Sequence, residues 1–264
     1  MTATTISPLP SYLSKTFAIV QAEVVKLRRD PTDLFSRAIQ PALWLLVFGQ
    51  VFTRTRAIPT GNLRYIDFMA PGILAQSVLF TSIFYGLSAI WERDLGILQK
   101  YMVSPAPRTA LVLGKALSAG VRGVAQATII YVLCLVLGVH MDLNPLALLG
   151  AIVGVVLGAG FFSTFSLIIA CIVKSRERFM GIGQVLTMPL FFASNAIYPV
   201  SMMPPWLRIV SHLNPLTYQV DLLRALMISN SQSAIGIGVD LIVLLCASIA
   251  LVLVAARMYP NLTR

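Results

Sequence analysis

Charge returns abruptly where one long apolar run ends, at Trp91-Glu92-Arg93-Asp94-Leu95-Gly96. Leu95, Leu98 and Met102 then recur at helical spacing until Ser104-Pro105, with Arg108 just beyond. Proline disfavours helix in the residue before it, so Ser104-Pro105 reads as a stop. A short helix held between apolar runs is a rigid protrusion. It is either a docking element for a soluble subunit or an ordinary interfacial turn. Covalent chemistry finds little support elsewhere. His140 and His212 stand in no ligand spacing, and HExxH and CxxC are absent. Gly114-Lys115 is followed by Ala116, and Thr109 stands where a phosphate loop needs its first glycine. Cys134, Cys171 and Cys246 lie in apolar blocks and read as small core residues. The chain is not expected to be an enzyme, and energy for uphill movement would come from another subunit or a gradient.

A second group of residues is uncharged. Gln76, Phe80 and Phe84 share one apolar run, and Gln184, Phe191, Phe192 and Asn195 share another. Aromatic rings with a few amides would suit a path for an amphiphilic or apolar solute. They would equally serve helix packing, with the amides as interhelical bonds. Pro189 should kink its helix. Gly150, Gly154 and Gly158, at four-residue steps, should allow close helix contact. Arg122 is the main charge inside an apolar run, and snorkelling to the nearer interface is its expected role.

These residues need a membrane around them. Of 264 residues, 57% are hydrophobic and 11% charged, which excludes a soluble globule, a disordered chain or a fibre. Six spans are expected, at roughly Ala38–Phe52, Phe68–Ile90, Ala116–Val139, Leu146–Val173, Phe179–Pro199 and Ala234–Ala256. The alternation of a barrel is absent. The fold class is an all-α integral membrane protein. Residues 1–30 form an N-terminal segment and 31–264 a six-helix membrane domain.

Six spans put both termini on one side. Fifteen of the 20 Lys and Arg fall on that side and five on the other, so the termini are expected in the cytoplasm. The first 30 residues lack the apolar core of a signal peptide. The basic excess therefore reports topology rather than nucleic-acid binding. Leu13, Phe17, Val20, Val24 and Leu27 recur at three- and four-residue steps, with Lys15, Glu23, Lys26 and Arg29 on other faces. This is an amphipathic helix lying in the interface, a lipid anchor or a lever for a cytoplasmic partner. Lys174-Ser175-Arg176-Glu177-Arg178 is a second basic turn on the same side. On the far side, residues 200–233 hold apolar pieces too short to span, among them Met202–Leu207. An amphipathic stretch through Asp221 and Arg224 follows. These pieces suggest short helices dipping into the outer leaflet, or a lid over a cavity.

Taken in order, these features resemble the permease subunit of type-2 ATP-binding-cassette exporters, over nearly the full length. The resemblance rests on the amphipathic helix before six spans and on Met69-Ala70-Pro71-Gly72 opening the second. It rests also on Glu92-Arg93-Asp94-Leu95-Gly96 with Ser104-Pro105 eight residues later, and on Asn214-Pro215-Leu216-Thr217-Tyr218 with Arg224 before the last span. It implies two permease copies, identical or paralogous, working with two cytoplasmic ATPase subunits that bind ATP and Mg. The chain itself would hold no cofactor. Glu92, Arg93, Gly96, Leu98, Met102, Ser104, Pro105 and Arg108 would belong to a coupling helix on the ATPase. Phe17, Lys26 and Arg29 would flank it on the interface helix, with Arg176 and Arg178 as a second contact. Gln76, Phe80, Phe84, Phe191, Phe192 and Asn195 would line the path. Re-entrant helices with Pro204, Trp206, Asn214 and Pro215 would gate its exit. The implied cargo is a hydrophobic drug or lipid-like solute leaving across the cell membrane. A polysaccharide or glycolipid exporter of the same superfamily and a gradient-driven carrier are the alternatives.

Overall fold

A computed structural model describes residues 8–29, 32–55, 58–61, 63–97, 107–173, 175–229 and 231–263. Regular structure among them is helical, apart from an isolated bridge between Met141 and Ile228. Leu98, Met102, Ser104 and Pro105 of the expected coupling helix, and Lys174, lie outside the described residues.

Helix α1, Pro8–Arg29, realises the amphipathic pattern. Of the expected stripe, Leu13 and Phe17 are exposed, and Val20, Val24 and Leu27 are half-buried. Glu23 does not share the polar exposure expected of it. It is buried where α1 packs along the third span.

The first span, Leu34–Thr55, is longer than expected. It comprises α2 (Thr32–Leu43), a π-helical stretch (Trp44–Gly49) and α3 (Gln50–Thr55). Pro41 inside α2 removes a backbone donor, and the wider turns follow it directly.

The second span joins α4 (Tyr65–Tyr85) to α5 (Leu87–Asp94). They part at Gly86, where the Ser166 hydroxyl donates to the Ile83 carbonyl at 2.5 Å and a Cβ would overlap the Ser166 side chain. Helix α4 is apolar on all faces and sits buried at the centre of the bundle. Its entry motif has a packing reason: a Cβ on Gly72 would lie 2.6 Å from the Cα of Ala196.

The third and fourth spans are α6 (Arg108–Val136) and α7 (Pro145–Ile172). Asn144 caps α7, accepting from the Leu146 amide at 3.0 Å with Pro145 at the first helical position. Gly154 and Gly158 of α7 face Leu222 and Gln219, the close helix contact expected of this glycine run.

The expected fifth span is shorter than the sequence suggested. Helix α8 covers Arg176–Phe192, 17 residues, or about 26 Å at the helical rise. It ends three residues past Pro189, where Ser194 Oγ donates back to the Phe191 carbonyl at 2.7 Å. Five other stretches, in the first four spans and α11 (Ile237–Met258), are long and apolar enough to cross a membrane. Between α8 and α11 lie α9 (Pro205–Leu213) and α10 (Pro215–Met227), each opening on a proline. Helix α10 packs against α4, α7 and α11. Asp221 and Arg224 are therefore buried rather than water-facing, which corrects the amphipathic surface expected of this stretch.

Candidate functional site

Three chain segments converge at the end of the bundle that holds α1. Glu92 and Arg93 lie on the last turn of α5, so the second span runs on through the expected break at Trp91. Gly96 then turns the chain with φ of +69°, a left-handed conformation that glycine adopts without strain. The neighbouring turn reaches across to it. Arg176 donates to Asp94 through Nε and Nη2, at 2.9 and 2.7 Å, and its guanidinium lies 3.8 Å over the Trp91 ring. Arg93 meets the other Asp94 oxygen at 3.0 Å. Two arginines on one carboxylate, backed by an indole face, fix this corner. Arg108 and Arg178 remain exposed on the same end, as do Phe17, Lys26 and Arg29.

Beneath that corner the charges are enclosed. Glu92 accepts from Lys115 of α6 at 2.6 Å. Glu23 of α1 pairs with Arg122 of α6 and accepts from the Tyr85 hydroxyl at 3.3 Å, with Lys26 at 3.9 Å. The Arg122 guanidinium sits 5.3 Å from the Tyr85 ring. On the side that Arg122 faces, α1 packs along α6 and supplies a carboxylate. Sequence reasoning missed Lys115, Tyr85 and Glu23 as partners. The available signal was that Glu23 is the one acid on an otherwise basic and apolar helix.

The expected path residues divide. Gln76, Phe80 and Phe84 follow one face of α4 at four-residue steps, with the two rings stacked 6.2 Å apart and Arg37 over Phe84 at 5.9 Å. Phe80 and Phe84 are half-buried, whereas Gln76 is enclosed. Phe191 is fully buried against Trp44 and Asn195 is buried, while Phe192 faces outward.

At the opposite end, Asn214 joins α9 to α10. Its Nδ2 donates to the Leu190 carbonyl at 2.7 Å and its Oδ1 accepts from Leu216 N at 3.0 Å. Trp206 is exposed, and α9 and α8 form the walls of an open apolar groove of about 540 Å³ edged by Pro189, Leu190, Phe192, Trp206 and Pro215. Arg224 donates to the Asn195 and Phe68 carbonyls, at 2.6 and 3.3 Å, beneath the Phe68 ring at 3.8 Å. Burial pulls its guanidinium down to about 10, so it stays charged at neutral pH. Asp221 accepts from the amides of Ala234 and Ile235 and from Ser233 Oγ. Arg64 holds Asp67 by two hydrogen bonds of 2.8 and 2.9 Å and also reaches the Gly138 carbonyl. Hydrogen bonding to that carboxylate raises the Arg64 guanidinium above its already high value. His140 closes the cluster through its amide and ring.

The model of the family described as ABC-2 type transporter matches residues 14–228. The chain belongs to the ABC-2 type transporter family. The ABC-2 match covers α1, the first four spans, α8, α9 and α10, and stops before α11. Among relatives, a putative transport permease, ycf38, of Cyanophora paradoxa is 30% identical over 218 residues, 81% of this chain and 74% of that one. The daunorubicin resistance ABC transporter permease protein DrrB1 of Streptomyces coeruleorubidus is 25% identical over 253 residues, 94% and 87% of the two chains. Nodulation protein J of Neorhizobium galegae is 21% identical over 225 residues, 84% of each. With several apolar helices of spanning length, this ABC-2 chain is a multi-pass membrane protein and a transport permease.

Proposed function

We propose that this permease is the membrane subunit of an ATP-driven exporter whose motor is a separate ATP-binding-cassette subunit. The observation that carries the proposal is the convergence of α1, the Glu92–Gly96 turn and the Arg176 turn on one end of the bundle. A motor gripping the chain beyond Gly96 would find that corner braced, so displacement would pass into the spans rather than bend a loop. ATP and Mg would bind the motor. Two motors and two permease copies, identical or paralogous, would make the working unit.

In this reading the α1 end and both termini face the cytoplasm of a bacterial-type cell membrane. Helix α8 is the fifth of six spans, its short length completed by the turn after Phe192. Helix α9 lies re-entrant in the outer leaflet, with Trp206 in the interface. The path runs between copies and presents Phe80, Phe84 and Phe192, an apolar lining suited to a hydrophobic or amphiphilic solute. The drug-resistance relative supports that class of cargo.

The test is co-expression with a candidate ATPase subunit, co-purification, and ATP-dependent daunorubicin uptake into inside-out vesicles. Gly96→Val, which strains the positive-φ turn, is expected to keep the permease in the membrane and abolish ATP-driven uptake. Normal uptake with Gly96→Val, or uptake that a protonophore abolishes while ATP depletion does not, would overturn the proposal.

A further inference from the structure

Beyond Arg108 at its start, the third span carries Lys115 and Arg122, seven residues or two helical turns apart along one face of α6. Each takes a carboxylate from a different motor-facing element. Lys115 takes Glu92 from α5, and Arg122 takes Glu23 from α1. Glu23 and Glu92 also share one crevice, lined with Lys26, Tyr85, Lys115 and Tyr259. The Tyr85 hydroxyl bonds Glu23 from the end of α4. So one face of α6 ties α1 and α5 together through ion pairs, with α4 joined by the Tyr85 hydroxyl, and Tyr259 lines the same crevice.

We propose that the pairs Glu23–Arg122 and Glu92–Lys115 are the joints through which motion of α1 and α5 is delivered to the third span. The inference rests on the exporter reading and adds positioning residues to it. Each pair has one buried member, Glu23 or Lys115, so that member cannot exchange its partner for water cheaply while α1 stays docked. The two elements then move with α6 as one body. Losing a joint lets α1 or α5 move while α6 stays behind. ATP would still be hydrolysed, but the opposite end would not respond.

The experiment uses the full complex of permease and ATPase in lipid vesicles. The label is a fluorophore on Ile209→Cys of α9, in a Cys246→Ala background. ATP hydrolysis and the ATP-driven change in label fluorescence are read side by side. Glu23→Gln and Lys115→Gln are expected to keep hydrolysis and lose the fluorescence change by on the order of tenfold. Exchanging the charges, Glu23→Arg with Arg122→Glu, is expected to restore it, which a packing role alone would not do. Where Glu23→Gln does not assemble, the doubly neutral Glu23→Gln/Arg122→Gln replaces it, because it leaves no orphan charge. Full response in the single or double neutral variant overturns the joints while the exporter reading stands. Loss that the exchange does not restore also overturns them. A wild-type complex whose label ignores ATP overturns the exporter reading and the joints together.

Discussion

The two ends of the bundle handle buried charge differently. At the α1 end, side chain meets side chain across elements: Glu23 with Arg122, Glu92 with Lys115, Asp94 with Arg176. At the opposite end, charges mainly grip backbone. Arg224 holds two carbonyls, Asp221 holds two amides, and Arg64 and Asp67 reach the backbone of Gly138 and His140. A pair of side chains has a mirror image, since both members can be exchanged. A guanidinium on a carbonyl has none, because no backbone group carries the opposite sign. The opposite end is thus a frame fixed to the chain's own path. The α1 end is a set of fastenings whose polarity is arbitrary.

Four outcomes test that contrast. The largest effect is expected from Arg224→Ala, which takes the guanidinium from the Asn195 and Phe68 carbonyls and empties its buried site, at about 4 kcal/mol together. Thermal unfolding in detergent should show a clear drop, with no rescue from Lys, whose point charge lacks the planar fork. Recovery by any charge exchange with Asp221 would break the contrast. Next, Glu23→Gln takes the α1 carboxylate from Arg122 and should cost about 3 kcal/mol, with most of it recovered in the exchanged pair. A smaller loss, about 2 kcal/mol, is expected for Gly158→Ala, whose Cβ meets the Gln219 side chain. It lies between the ends and should respond to no charge change. The smallest effect is expected from Arg176→Gln at the exposed corner. Its melting temperature should match wild type at high salt, where exposed pairs are screened.

The sequence carried the helix α1, the apolar spans and the close glycine contacts of α7, because all of these are local periodicities. It misplaced features set by distant neighbours. Glu23 lies 99 residues from Arg122, so nothing near Arg122 announced a partner and snorkelling was the natural expectation. Asp221 and Arg224 recur like an exposed helical face, yet α4, α7 and α11 enclose them. The early end of α8 depended on backbone detail around Pro189 and Ser194 that hydropathy does not register. Of the residues expected to couple, the turn at Glu92, Arg93 and Gly96 was legible as a break because charge and glycine interrupt an apolar run. The differing burial of the residues expected along a path was not, since Phe191 and Phe192 are adjacent yet face opposite ways.

Helix α11 is more apolar than α4 and far less enclosed, touching the rest of the protein along one edge while Val239, Ile242, Leu245, Ile249 and Leu253 look outward. What surrounds it asks only for grease, not for shape. Its outward letters are therefore free to drift among Leu, Ile, Val and Phe. A family resemblance should fade here first, while the inner seam at Asp240, Leu244 and Ala255 keeps its spelling.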